Sequence, residues 1–368
     1  MIPSLPTSVL CSNVPGTSAP MSSVHAQGDW PRGKVIQLDH SSRVLQANPW
    51  DDPPDRPLHI YLPADYTDDS EPYIALWDLA AFTNSGRGHL NWRNHGENLP
   101  QRLDRLIGQG AMPPVVMVFP DCYTSLGGNQ YVNSPAVGNY ADYLVRELVP
   151  FVAAHVNVFD QRDGRGLFGH SSGGFGALYH AIKFNQTWGA VASHAGDVGF
   201  ELVYRPAFAE VCTVLANYGG DALAFIRDFW SKNKPAARDY STLMILAMAA
   251  SYDPDSGNPC NIRLPFDLRT CTLDQERWER WLAFDPLNLV VGGAEALKKL
   301  HGLYIDVGLQ DQYHLQYGSR ALTDRLRQLG VDFQYHEFDG AHNAIDWRLD
   351  TSLPFLARVL KNAVPAAT

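Results

Sequence analysis

The run RGLFGHSSGGFGALYHA, residues 165–181, constrains the fold of this chain more than any other segment. A short apolar strand, Gly166–Phe168, leads into Gly169-His170-Ser171-Ser172-Gly173, and a helical pattern follows over Gly174–Phe184. This is G-x-S-x-G in the setting of strand, sharp turn and helix, which holds the central serine on a strained turn at the carboxyl edge of a sheet. The positions two before and two after it must lack side chains so that strand and helix can approach. The hydroxyl then stands at the positive end of the helix, and the N–H of the next residue, Ser172, faces a developing oxyanion. Gly174 and Gly176 let the helix pack closely on the sheet. Ser171 is the expected nucleophile. Ser172 is the competing hydroxyl, but it lacks the symmetric pair of glycines; a glycine-rich βα turn with incidental serines is the bland alternative.

Such a turn needs a parallel sheet, and the rest of the chain supplies one. Two β-rich stretches, Lys34–Leu38 continuing to Gln46 and Leu58–Leu62, flank a Pro/Asp linker, NPWDDPPDRP. Strand patterns at Tyr73–Leu79, Val115–Phe119, Arg165–Phe168, Ala190–Ser193, Leu303–Val307 and Phe333–Phe338 alternate with helical ones. The helical patterns lie at Gly96–Gly110, Asn139–His155, Gly174–Phe184, Ser319–Leu329 and Leu353–Asn362. Strands alternating with helices imply right-handed crossovers and a mostly parallel sheet covered on both faces. The expected class is therefore α/β, with a mostly parallel central sheet flanked by helices.

One interval breaks the rhythm. More than a hundred residues separate Ser193 from Leu303, where a crossover usually takes a few dozen. The interval is mostly helical and aromatic, and a mainly helical cap inserted late in the sheet is the expectation. On this reading 1–28 is a flexible leader, 29–199 and 291–368 are the two parts of the core, and 200–290 is the cap. An independent second domain is the alternative on length alone. The stretch Asp253–Asn258 superficially mimics a calcium loop, but it lacks the closing Glu and is expected to be a turn.

A serine needs a base at neutral pH, and the base needs a partner that fixes its tautomer. In this fold the chain order is Ser, acid, His. Asp311, in the loop just past the strand Leu303–Val307, is the expected acid, because ligands and catalytic groups collect at strand ends in parallel sheets. Asp306, inside that strand, suits a structural carboxylate. His342, in FDGAH after the last strand, is the expected base. His336 falls within a strand and is expected to be structural, whereas His314 begins a helix beside the acid and is a pocket candidate. The second oxyanion donor should come from the loop LWDLAAFTNSG, with the N–H of Ala80 or Ala81 as candidates. His170, His194, Asp197, Phe82 and Trp281 complete the candidate substrate contacts. For His194 and Asp197 a satisfied structural hydrogen bond is an equal reading.

Other readings narrow the class. The chain carries 29 Lys+Arg against 39 Asp+Glu, a net charge of −10, which argues against nucleic-acid binding and docking on anionic lipid. No apolar run reaches the ~18 residues of a membrane span. Cys11, Cys122, Cys212, Cys260 and Cys271 form no CxxC pair and no zinc spacing. Buried free thiols are expected, with a Cys260–Cys271 bridge only if the protein is exported. No Lys or Arg precedes Arg32, so no signal-peptide n-region is expected and a cytoplasmic location is. Met21 is an alternative start.

The segments PDCYTS, NYADYLVRELVPFV and GHSSGGFGALYHAIKFNQTWGAVASHAG, within Val115–Ser193, resemble the esterase D-like (carbohydrate esterase family 1-like) branch of the α/β-hydrolases. VGLQDQ and FDGAHNAIDWR, within Leu303–Arg348, resemble that family's acid and histidine motifs. The resemblance implies Ser171 as nucleophile, Asp311 as acid and His342 as base. WDLAAF resembles the oxyanion segment of the mycolyltransferase branch, which favours Ala80 as donor. Two departures stand out: Ser172 occupies a position where the family usually has Met, and the interval from about Phe200 to Asp285 has no counterpart in compact members. The expectation is a serine carboxylic-ester hydrolase for small to medium, including feruloyl-type, esters, with a small-molecule partner and neither metal nor organic cofactor. An acyltransferase and a catalytically silent binding protein are the alternatives. Oligomeric state stays open, a homodimer being one option.

Overall fold

The computed structural model describes residues 29–94, 96–258 and 261–365. Eight strands form one sheet: β1 (Lys34–Ser41), β2 (Asp55–Leu62), β3 (Ile74–Leu79), β4 (Val115–Phe119), β5 (Arg165–His170), β6 (Ala190–His194), β7 (Gly302–Gly308) and β8 (Gln334–Phe338). Their spatial order is β1-β2-β4-β3-β5-β6-β7-β8, with β1–β2 and β2–β4 antiparallel and every other pair parallel. β3 and β4, IALWDL and VVMVF, are buried along their whole length. That is what a strand sandwiched between two helical layers requires. β1 sits at the edge and carries polar residues, which discourages further strand addition.

The end of the expected Pro/Asp linker belongs to β2. Asp55, Arg56 and Pro57 pair with Ser41, His40 and Asp39 of β1. Pro57 is tolerated because the β2–β4 ladder begins only at His59.

Helices cover both faces. On one side α1 (Leu99–Gly108) contributes Leu99, Leu103 and Leu106, which pack with Leu76, Met117 and Phe168 of the sheet. The segment Tyr140–Asp142, Tyr143–Leu148 and α2 (Val149–His155) runs on without a break, but its middle is π-helical. The helical spacing anticipated a regular helix. Pro150, near the start of α2, cannot donate to the preceding turn, and a widened turn just before it accommodates that loss. α3 (Ser172–Lys183) follows β5.

Between β6 and β7 lie α4 (Phe200–Val203), α5 (Phe208–Ala216), α6 (Ala222–Ser231), α7 (Ala237–Tyr252), α8 (Gln275–Leu282) and α9 (Pro286–Leu297). α9 lies against α3, where a Cβ on Gly293 would stand 2.4 Å from Ile182. Residue 290 thus falls inside a helix that packs on the sheet layer. α10 (Leu315–Gln328) and α11 (Leu349–Ala363) complete the fold, and Leu353, Leu356 and Leu360 of α11 join the α1 face. Among the described residues no helix is long and apolar enough to cross a membrane. The expected leader and Cys260, with its bridge to Cys271, lie outside the described residues. Cys271 neighbours Cys212, both thiols gathering near the Asp267 loop.

Candidate active site

Ser171 occupies the turn between β5 and α3 with φ 57° and ψ −121°, a conformation that only strong flanking constraints sustain. Its N–H donates to the His194 carbonyl at 2.9 Å, and its own carbonyl accepts from Phe175 at 2.8 Å. The two flanking glycines are sterically required. A Cβ on Gly169 would come within 2.4 Å of the Gly173 backbone, and one on Gly173 within 1.9 Å of the Leu79 carbonyl oxygen. The turn is therefore clamped between the ends of β3 and β6.

Asp311 sits beyond β7 and is 2 % exposed. Its Oδ1 accepts the Tyr313 N–H at 2.8 Å, and its Oδ2 lies 2.7 Å from His342 Nδ1. His342 follows β8, and its backbone N–H donates to Gln312 Oε1. A carboxylate at Nδ1 places the proton there and leaves Nε2 as the basic nitrogen. Ser171, His342, His170 and Asp197 all face one cavity of about 410 Å³. In the resting geometry Ser171 Oγ lies 3.4 Å from Asp197 Oδ1, and His342 is not among its hydrogen-bond partners.

The His170 ring stands 4.6 Å from that of His342. Burial, reinforced by His342 and His194, pushes its pKa down to about 3, so it stays neutral beside His342. Asp197 is buried, and desolvation raises its carboxyl above the usual range despite the hydroxyls of Tyr204 and Ser172. Phe82 and Ala81 form part of the cavity wall. Ala80 is buried behind them, and its carbonyl accepts the Tyr131 hydroxyl.

Three candidates lie elsewhere. His194 is buried with Nδ1 2.7 Å from Asp306 and Nε2 2.9 Å from Ser352, within the sheet–α11 layer. Trp281 is fully buried in an aromatic cluster with Tyr204, Tyr252, Phe208 and Trp278, among the helices between β6 and β7. His314 is exposed at the start of α10 and is not part of the cavity wall. Asp306 binds His194, Arg348 and Tyr304, and His336 stacks on Tyr304; both sit in the structural setting anticipated for them.

The cavity also takes Tyr240 and Met244 from α7 and Tyr313 from the Asp311 loop. The i,i+4 spacing of Tyr240 and Met244 puts them on one helix face. Spacing alone could not say that this face looks at Ser171. A larger cavity, about 880 Å³, lies between Leu215, Leu246, Phe266 and Leu268, among the helices between β6 and β7, and holds none of these residues. Among the described residues no group of three or more His, Cys, Asp or Glu side chains is arranged to hold a metal ion.

A serine turn between the fifth strand and its helix, with an acid after the seventh strand and a histidine after the eighth, defines an α/β-hydrolase. The family model described as "Putative esterase" matches residues 53–353, and the chain belongs to this family. Esterase Rv1288 and Esterase MT1326 of Mycobacterium tuberculosis are each 35% identical to it over 117 residues, covering 29% of this chain. The match spans only 24% of the length of those relatives. Among solved structures, a ferulic acid esterase superposes with a TM-score of 0.57 at 18% identity, covering 89% of this chain and 99% of its own. An S-formylglutathione hydrolase from Agrobacterium tumefaciens gives 0.54 at 17% identity, over 91% and 99%.

Proposed function

We propose that this chain is a carboxylic-ester hydrolase that works through Ser171, His342 and Asp311. The observation that carries the reading is the 2.7 Å His342–Asp311 hydrogen bond facing the same cavity as the strained Ser171 turn. As Ser171 Oγ attacks the ester carbonyl, its proton passes to His342 Nε2, and Asp311 stabilises the resulting imidazolium. The tetrahedral oxyanion lies against the Ser172 N–H at the start of α3. The second N–H comes from the turn after β3, where Ala80 is the donor that the resemblance favours and Ala81 borders the cavity. His342 then protonates the leaving alcohol, water attacks the acyl-enzyme, and the serine is restored.

A cavity of about 410 Å³ bordered by Phe82, Tyr240, Met244 and Tyr313 suits small to medium acyl groups, including a flat aromatic one of the feruloyl type. The test is a panel of p-nitrophenyl and hydroxycinnamoyl esters, with fluorophosphonate labelling, on wild type and Ser171→Ala. Wild type is expected to hydrolyse and to be labelled. Ser171→Ala should lose at least ~10³-fold in kcat and all labelling. A wild-type protein that is neither labelled nor active overturns the reading.

A further inference from the structure

Beneath Ser171 lies a buried polar cluster that the acyl-enzyme chemistry above does not use. Its proton directions can be traced from one amide. Gln130 Nε2 donates to Ser172 Oγ at 2.7 Å, so its Oε1 accepts the Tyr252 hydroxyl at 2.9 Å. Ser172 therefore directs its own proton elsewhere, and Asp197 Oδ2 stands 3.3 Å away to receive it. Tyr204 donates to the same Oδ2 at 2.8 Å. Oδ2 thus accepts two hydroxyls, while Oδ1 has one neighbour among the described residues: Ser171 Oγ, at 3.4 Å.

We propose that Asp197 is a further catalytic residue, acting as the neutral acid: its Oδ1 hydroxyl donates to Ser171 Oγ and leaves the serine's own proton free to go to His342 Nε2. An ionised Asp197 does the opposite. It accepts the Ser171 O–H, turns that proton away from His342, and sets a negative charge beside the position where the oxyanion forms.

The surroundings favour the neutral form. Asp197 is 5 % exposed, and among the described residues no Lys or Arg pairs with it. The groups facing it are Ser171, Ser172, Tyr204, Tyr252 and, across the cavity, the Asp311–His342 pair with Tyr313. His342 is the one cation this set can form, and Asp311 beside it opposes that charge. Burial of the carboxyl is the largest influence and disfavours ionisation. The cluster also accounts for the polar residue at position 172, where the resemblance leads one to expect Met.

This inference rests on Ser171 being the nucleophile, and the experiment separates the two. kcat/KM for p-nitrophenyl acetate is followed from about pH 5 to about pH 10 in wild type, Asp197→Asn and Tyr204→Phe, each checked by thermal melting. Wild type is expected to rise to a maximum and then fall about tenfold per pH unit as Asp197 ionises. Asp197→Asn, whose amide donates at every pH, keeps the rising limb and loses the falling one. Tyr204→Phe removes a hydrogen bond that favours the carboxylate, so the falling limb moves to higher pH. If Asp197→Asn does not fold, the Tyr204→Phe shift decides. A wild-type plateau with no fall, the same fall in Asp197→Asn, or a limb that Tyr204→Phe does not raise overturns the role of Asp197. Absence of any wild-type hydrolysis or labelling overturns the Ser171 reading instead.

Discussion

Ser171 holds a backbone conformation that costs of order 1–3 kcal/mol in isolation, and the molecule sustains it through the flanking glycines and the bond of the Ser171 N–H to the His194 carbonyl. The missing side chains at Gly169 and Gly173 were the most legible feature of the sequence, because the constraint is local: strand, turn and helix are neighbours along the chain. His194 shows the opposite case. It sits at a strand end near the site, yet its ring turns to Asp306 and Ser352, and only the packing of α11 decides that. His180 is a second residue whose environment the sequence concealed. It is fully buried on α3, with Nε2 donating to the Tyr131 carbonyl and Nδ1 unpartnered. Burial lowers its pKa to about 4. The unfolded chain takes up a proton near pH 6.5 and the folded chain does not, so this group's contribution to stability is lost as pH falls below about 6.5. Between pH 7.5 and pH 5, wild type should lose about 2 kcal/mol relative to His180→Gln. Urea titrations of both proteins at the two pH values measure it, and a constant difference would contradict the assignment.

At the scale of elements, β6, β7 and α11 meet through a charged knot. Asp306 is fully buried, with Oδ1 2.7 Å from His194 and Oδ2 2.8 Å from Arg348 Nε and 3.0 Å from Tyr304. Burial works against its charge, but His194 and Arg348 outweigh it and hold the carboxyl below its ordinary range. Its contribution is therefore present above about pH 4 and lost as pH falls further. Because the His194 carbonyl anchors the Ser171 N–H and Arg348 follows the His342 loop, the knot also braces two walls of the site. Arg348→Met leaves a buried carboxylate with only neutral or weakly basic partners and should cost about 3 kcal/mol. A denaturant midpoint lowered at unchanged slope would report it; a stability loss of only a few tenths of a kcal/mol would show the knot to be dispensable. Strand and helix periodicity made these elements legible to within a few residues. The registers that bring Asp306 opposite His194 and His336 depend on pairing between distant segments and left no local trace.

Across the whole molecule, the helices between β6 and β7 share one apolar core with the sheet. Phe175 of α3 packs with Phe200 and Tyr252, Tyr252 with Trp281 and Phe284, and Tyr179 with Phe284. The same continuous cluster runs from Ile60 and Trp77 in the sheet to Trp278 in α8. Composition revealed that this interval is helical and aromatic. It could not reveal whether those rings close on one another or on the core, since a self-contained domain and a fused cap need the same residues. The observed packing removes the independent interface that separate domains would need. Unfolding is therefore expected to be one cooperative transition, with calorimetric and van't Hoff enthalpies equal. Residues 200–290 expressed alone should stay unfolded, because their aromatic face would lack α3 and most of α9. Two resolved calorimetric transitions, or a folded isolated fragment, would show that the cap holds its own core and that its contacts with α3 are an interface.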